Sequence, residues 1–163
     1  MNGTGHTKRG ALRSRRGQAT IEFALVAPLY FLLVFGIIEF GRIFYVELTL
    51  QNAVRQAGRF AVTGSKTVAG VTTDRVDAIT MVAEQAAVGL ASSPGDIQVS
   101  AISADGNVTT NSAGGPGDTV MISITANMGI ITHMIAQYFP SGTNTFTVST
   151  TFRNEQFPAS QTM

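Results

Sequence analysis

The chain has 163 residues, of which 44% are hydrophobic and only 13% charged, well below the about 25% charged residues of a typical soluble domain. It has no cysteine, which excludes a disulfide scaffold, a thiolate zinc site and a cysteine nucleophile. The net charge of +1 is uneven, because residues 1–16 carry five basic and no acidic residues while the rest carries six basic and ten acidic ones, a net −4. A basic head before an apolar run is typical of a membrane flank.

The first predicted element is a membrane-spanning helix. Residues 1–17 are interpreted as a basic leader, and residues 23–38 carry no charge at all. The span predicted from them covers residues 21–40, with a glutamate near each end, and twenty helical residues reach about 30 Å, the thickness of a bilayer core. A buried helix of a soluble protein is disfavoured because no side of the stretch is polar. A cleaved signal peptide is disfavoured because no small-x-small site follows the apolar core.

The helical pattern continues beyond the predicted membrane edge. After Gly41, apolar residues recur in steps of three and four, at Ile43, Val46, Leu50, Val54, Ala57 and Ala61. This spacing predicts an amphipathic extension of the helix, so that one helix covers residues 18–62 and ends at a glycine-containing loop. The apolar stripe of the outer half must pack on the remaining chain, residues 63–163.

The rest of the chain is predicted to form a small α+β domain outside the membrane. Residues 74–91 predict a second helix capped by Thr73 or Asp74. Alternating apolar residues predict strands over 96–103, 118–127 and 144–154. A short helix or buried turn is expected near His133, and the glycine-rich loop 103–118 is expected to move. The predicted fold class is therefore α+β, with a long N-terminal helix, half transmembrane and half packed on a small antiparallel sheet with one or two short helices.

No enzymatic arrangement is evident in the sequence. The two histidines are isolated, His6 in the leader and His133 in an apolar stretch where a structural role is the more common one. No set of metal ligands is spaced in register, and no serine stands in a nucleophile elbow. The sequence therefore predicts a protein that is not an enzyme and has no cofactor, no metal and no nucleic-acid partner.

The most specific motif stands where the leader meets the span. The segment "RRGQATIEF" places Gly17 after two arginines, then Gln18 and three further residues, then Glu22 and Phe23. This pattern resembles the processing site of type IV pilin precursors, and most closely that of the tight-adherence (Flp) pili. The resemblance implies cleavage by a prepilin peptidase after Gly17, which makes Gln18 the first mature residue and puts Glu22 at the fifth position.

A wider part of the chain resembles the TadE-like family of pilus-assembly proteins. The shared features are the Glu22-Phe23 start, Pro28, an acid and an arginine at the outer membrane edge (Glu39 and Arg42), the segment "QNAVRQAGR" at 51–59 and a closing "RNE" at 153–155. The resemblance implies a structural, pilin-like minor subunit or assembly factor. It implies a single pass through the bacterial inner membrane, the N-terminus in the cytoplasm, the C-terminal domain outside, and other pilins as partners, either in the membrane or in the pilus.

Two residues of the span invite a specific role. Glu22 would lie about one helical turn from the amine created by cleavage, where it can pair with that amine or with a neighbouring subunit's, so it is interpreted as an assembly device. The alternative is a carboxylate that merely reaches the membrane surface. Pro28 removes one helical hydrogen bond and is expected to loosen the helix.

Two other functions remain open from the sequence. The first is a signal-anchored, extracytoplasmic subunit of another secretion or envelope machine, such as a pseudopilin. The second is an anchored enzyme or ligand-binding protein, which would require a polar pocket that the sequence does not indicate.

Overall fold

The protein is an α+β protein, as predicted. The computed structural model describes residues 13–91, 93, 95–137 and 139–158. Its longest element is helix α1, Arg13–Val62, which begins upstream of the predicted start. The chain divides into two compact units, Met1–Phe40 and Gly41–Met163. The described residues do not include residues 1–12 of the predicted leader or residues 159–163 of the tail.

The second unit is built around the outer half of α1. Its predicted stripe is covered: Leu50, Ala57 and Ala61 are fully buried, and Val46 and Val54 are nearly so. These side chains share one core with the apolar faces of helix α2, Arg75–Ala87, and of the strands β3, Ile97–Ile102, and β5, Thr119–Gly129. The helical spacing therefore identified the buried face of α1 correctly, because burial of an apolar stripe of this width is favoured over its exposure to water.

A four-stranded antiparallel sheet lies against this helix, in the order β4-β3-β5-β6. Strand β4 is Val108–Thr110 and β6 is Thr143–Arg153. The long pair β5 and β6 runs in register from Thr119↔Arg153 at one end to Gly129↔Thr143 at the other. Alternate residues of β3 and β5 face the core, as the period-two pattern predicted: Ile97, Val99, Ala101, Val120, Ile122 and Ile124.

Helix α2 ends earlier than predicted. Asp74 caps it by accepting a hydrogen bond from the Val76 amide at 3.1 Å, as expected for an N-cap carboxylate. The helix stops at Ala87 rather than residue 91, because Val88 (φ 51°) and Gly89 (φ 78°) take left-handed conformations. Between α1 and α2, a two-residue turn joins β1, Thr67–Val68, to β2, Val71–Thr72, in a hairpin that the sequence did not predict.

The segment 103–118, predicted to be a loop, contains a strand. Strand β4 forms within it and pairs with β3 through Ser100↔Thr110, Ala101↔Thr109 and Ile102↔Val108. The segment that follows β4 packs on the rest of the unit, because Ala113 is buried and its carbonyl oxygen accepts a hydrogen bond from Asn154. Strand β4 carries too little apolar periodicity to be recognised alone, and only its pairing with β3 defines it.

The connection between β5 and β6 contains the predicted short helix. Helix α3, His133–Ala136, is followed by a 3-10 turn, Pro140–Gly142. The side chain of His133 is exposed, so the sequence-based expectation of a structural histidine in an apolar environment is not met.

Candidate functional site

The predicted processing segment lies in the first turns of α1. The side-chain amide of Gln18 donates a hydrogen bond to a carboxylate oxygen of Glu22 at 3.0 Å, one helical turn away. Both side chains are exposed, and Phe23 is 70% exposed. Gly17 is helical here, and no atom lies within 4 Å of the position that a Cβ would take. The segment is thus open on all sides, and Glu22 already contacts the residue predicted to become the N-terminus.

The large apolar side chains in the first half of α1 are exposed. An 18-residue window of the helix has a mean hydropathy of 2.3, and none of it is buried. Large exposed side chains surround the helix on every face: Ile21, Leu25, Val26, Leu29, Tyr30, Phe31, Leu32, Leu33, Phe35, Ile37, Ile38 and Phe40. The helix is therefore long and apolar enough to cross a membrane. Pro28 lies inside this stretch, and α1 continues through it.

The acid and the arginine predicted at the outer edge of the span lie far from the processing segment. Glu39 stands 17 residues after Glu22 on the same helix, about 25 Å at 1.5 Å per residue. Its side chain is 4% exposed, whereas Glu22 is exposed. Arg42 belongs to the second unit and donates a hydrogen bond to the Gly129 carbonyl oxygen at 3.4 Å. The predicted site residues thus form no single site; the processing segment and the outer edge are separate features.

A buried arginine, which the sequence analysis missed, lies at the other end of the second unit. Arg75 is 2% exposed, and its guanidinium donates to the carbonyl oxygens of Ala61, at 2.9 Å, and of Gly114. It also lies over the ring of Phe157, 4.6 Å from the ring centroid. Burial lowers the pKa of Arg75 and the charge of Asp118 raises it, but a guanidinium remains charged at any physiological pH. One side chain therefore joins the end of α1, the 112–117 segment and the C-terminal tail.

Asn154 completes this polar cluster. It is 4% exposed, and its side-chain amide donates to the carbonyl oxygens of Ala113 and Gly115, both at 2.9 Å. The backbone amide of the next residue, Glu155, donates to the Val62 carbonyl oxygen at 3.1 Å. A helix leaves its last carbonyl groups without helical partners, and the Arg75 side chain and the Glu155 amide bind two of them, those of Ala61 and Val62. The closing "RNE" motif thus has a structural role at Asn154 and Glu155.

One feature of the sequence pointed to the buried arginine. Arg75 is the first residue of α2, where the positive end of the helix dipole disfavours a cation. A basic residue in that position requires compensation from elsewhere, and here the compensation is two carbonyl oxygens and a nearby carboxylate. The identity of those partners could not be predicted, because Ala61 and Gly114 are distant in sequence.

The described residues offer little for catalysis. Within residues 13–158, apart from the gaps named above, no group of three or more His, Asp or Glu side chains is placed to hold a metal ion. A mostly polar depression of about 420 Å³ lies beside Arg75, lined also by Asp74, Ser103, Asn111 and Asp118. The two carboxylates there are engaged as a helix cap at Val76 and as an acceptor from the Gly115 amide at 2.7 Å. Both carboxylates of this depression therefore have structural roles.

Fold and site together define a class: α+β proteins whose single long N-terminal helix has a membrane-length apolar half and a half packed on an antiparallel sheet. The comparison with protein families concerns the long helix, in both of its halves. The family model described as "TadE-like protein" matches residues 17–59, so the chain is TadE-like over the segment from Gly17 to Arg59. The family is one of pilus structural and assembly proteins. No curated protein and no solved structure matches the chain.

Proposed function

We propose that this protein is a pilin-like structural subunit or assembly factor of a tight-adherence type IV pilus, anchored in the bacterial inner membrane and processed by a prepilin peptidase. The observation that carries the proposal is the placement of Gly17 and Glu22. They stand five residues apart on the open first turns of the apolar helix, within the segment that matches the TadE-like family. The five basic residues before the span favour a cytoplasmic N-terminus and an external C-terminal domain.

The geometry supports a specific use of Glu22. The residue that cleavage would expose, Gln18, already contacts Glu22 through its side chain. After cleavage the new α-amino group of Gln18 would stand at the N-terminus of the helix, about one turn from the carboxylate. A carboxylate at the edge of lipid needs such a partner, in its own chain or in a neighbouring subunit. Pro28, Glu39 and Arg42 are proposed as further assembly residues, since they belong to the pattern that resembles the TadE-like family.

The test of processing is the substitution Gly17→Val. A peptidase at the membrane face must unwind and accept the residue before the scissile bond, and glycine both weakens a helix, by about 1 kcal/mol, and presents no side chain. We expect Gly17→Val to leave the full-length precursor in the membrane, whereas the parent yields a chain whose intact mass begins at Gln18. Gly36→Val is the matched control, since a Cβ at Gly36 also has no atom within 4 Å and the residue lies in the same helix. A parent that begins at Met1 in its native membrane would contradict the proposal.

The substitution Glu22→Gln tests assembly separately from processing. It keeps the shape of the side chain and removes its charge, so we expect the variant to be cut at least in part but to recover pilus partners poorly. Loss of a charge-assisted pair of about 1.5–3 kcal/mol lowers an association constant roughly tenfold to hundredfold. Co-purification of partners from detergent extracts measures this.

The control for Glu22→Gln is Glu47→Gln. Glu47 makes the same kind of contact farther along α1, accepting from the Gln51 side-chain amide at 3.2 Å. It should change partner recovery little, because it lies beyond the apolar half of the helix. Full partner recovery with Glu22→Gln would reduce Glu22 to a carboxylate at the membrane surface.

A further inference from the structure

Strand β6 forms one edge of the four-stranded sheet, and in the described part of the chain β5 is the only strand that pairs with it. It is 11 residues long, and residues 143–152 include no Asp, Glu, Lys, Arg or Pro. Charged residues and prolines are the usual protection of an edge strand against pairing with another chain. Every second residue of such a strand directs its backbone N–H and C=O groups away from its neighbour. The edge of β6 is therefore suited to accept a further strand.

The inward side chains of β6 are covered less completely than those of β5. Ile122 of β5 is fully buried, whereas Phe146 and Val148 of β6 are half-buried. A groove of about 350 Å³ lies between β6 and the outer half of α1, and it is lined by Gln51, Val54, Arg55, Val148, Ser149 and Thr150. Among the described residues that line it, Arg55 is the one that carries a charge, and its side chain is exposed. A strand added to β6 would cover the apolar side chains and would lie beside a cation.

The opposite edge of the sheet is formed by β4. All three residues of Val108–Thr110 are exposed, and all are β-branched, which favours extended backbone. A second groove, of about 500 Å³, lies on this side of the sheet between helix α2 and the strands. The charged residues of its described lining are Asp77 and Glu84, both exposed on α2. The two edges thus carry opposite charges, with a cation beside β6 and two carboxylates beside β4.

The strand directions allow the two edges of different copies to pair. Strand β4 is antiparallel to β3, β3 to β5 and β5 to β6, so β4 runs antiparallel to β6. Helices α1 and α2 both pack on the face of the sheet that carries the core. A second copy shifted sideways along the sheet would therefore bring its β4 beside β6 in the antiparallel orientation, with the helices of both copies on one face. Its α2, with Asp77 and Glu84, would then lie beside Arg55 of α1.

The same arrangement keeps the copies pointing in one direction. Strand β6 begins opposite Gly129, whose carbonyl oxygen accepts from Arg42 near the start of the unit. It ends shortly before Glu155, whose amide donates to Val62 at the end of α1. Strand β6 and the outer half of α1 therefore run in the same direction. A sideways shift preserves this direction from copy to copy, whereas an antiparallel contact between two β6 strands would reverse it.

We propose that copies of this chain associate side by side, with β6 of one copy paired to β4 of the next and Arg55 beside Asp77 and Glu84 of that next copy. The inference rests on the proposed function in one respect, since subunits anchored in one membrane must face the same way. Because the contact joins two different surfaces of the same molecule, it repeats and forms a ring or an open helical array. Strand β4 contributes only three residues, so a single contact is weak and depends on the high local concentration of copies in one membrane.

Cysteine cross-linking of the full chain in its native membrane tests the contact. The chain has no cysteine, so the products report only on the positions chosen. The test variant carries Thr110→Cys on β4 and Ser149→Cys on β6, both at exposed positions. Within one chain these strands are three strand spacings apart, about 14 Å, so a bismaleimide of shorter reach joins the two cysteines only between copies. We expect a ladder of dimers, trimers and higher species on a denaturing gel.

Three controls accompany the ladder. Each single-cysteine variant should stay monomeric, because β4 meets β6 and not another β4. The pair Val71→Cys with Ser149→Cys should also give no ladder, since Val71 is 57% exposed but belongs to the separate β1–β2 hairpin. Dimers of the Ser149→Cys variant alone would reveal a contact between two β6 strands and overturn the proposal. A product with a different protein in place of the ladder would overturn it as well.

Charge reversal distinguishes the proposed contact from chance collisions. In the double-cysteine variant, Arg55→Glu should lower the cross-linked fraction roughly twofold to fivefold, the effect of an exposed ion pair. Glu84→Arg should do the same, and the two reversals together should restore the ladder. A lack of rescue would contradict the placement of α1 beside α2 of the next copy. A missing ladder in a parent chain that begins at Gln18 would remove the contact and leave the proposed function, whereas a ladder from a chain that begins at Met1 would support the contact and contradict processing.

Discussion

The substitution Leu50→Asp is expected to abolish cooperative folding of the unit Gly41–Met163. Leu50 is fully buried where the outer half of α1 meets the sheet. Removal of a buried leucine side chain costs about 2–5 kcal/mol, and an unpaired buried carboxylate adds several more. Together these approach the whole stability of an ordinary domain, about 5–15 kcal/mol. Near-UV circular dichroism on heating, and the survival of a protease-resistant fragment of the detergent-solubilised chain, measure the effect.

Leu48→Asp provides a matched control for this prediction. Leu48 lies on the same helix two residues earlier, but its side chain is 64% exposed. The same chemical change there leaves the carboxylate in water, so the parent's unfolding transition and protease resistance should be kept. If Leu50→Asp melts like the parent, the stripe that begins at Ile43 does not hold the sheet.

Gly58→Ala is expected to destabilise the unit Gly41–Met163 by disturbing a close contact between α1 and the sheet. A Cβ at Gly58 would overlap the ring of Phe152 on β6. Overpacking of this kind costs about 1–3 kcal/mol, even though alanine by itself favours a helix over glycine by about 1 kcal/mol. We therefore expect a lower midpoint of thermal unfolding for Gly58→Ala. Gly41→Ala, in the same helix with no atom within 4 Å of the added Cβ, should be neutral or slightly stabilising.

A double-mutant cycle assigns the loss to this contact. In a Phe152→Ala background the ring is gone, so Gly58→Ala should become neutral or stabilising there. The coupling between the two positions should then fall within about 0.5–3 kcal/mol. A zero coupling, or equal effects at Gly58 and Gly41, would show that Phe152 does not lie over the helix at this point.

Glycine at position 58 also explains why this helix can support the edge of the sheet. Strand β6 has a partner on one side only, and its inward side chains, including Phe146, Val148 and Phe152, are half-buried. The ring of Phe152 fits against α1 because residue 58 has no side chain. Packing therefore explains one position of the segment 51–59, the glycine in "QAGR".

The sequence by itself determined the features that depend on periodicity and on local chemistry. The stripe from Ile43 to Ala61 and the alternation in β3 and β5 report directly which faces are buried. The uncharged run 23–38 identifies a helix that is long and apolar enough to cross a membrane. The cap at Asp74 is a local hydrogen bond and was equally predictable. The motif from Gly17 to Phe23 was visible for the same reason, because its meaning lies in the spacing of a few neighbouring residues.

Only the tertiary structure decided which distant segments meet. Strand β4 forms because its backbone hydrogen-bonds to β3. Glycine is needed at position 58 because Phe152, which is distant in sequence, packs on the helix there. Arg75 and Asn154 are buried because the end of α1 and the 112–117 segment present them with carbonyl oxygens. A buried polar group must find partners, but its own residue type does not say which ones, since carbonyl groups are the same everywhere along the chain. The role of such residues therefore follows from the fold and not from the pattern.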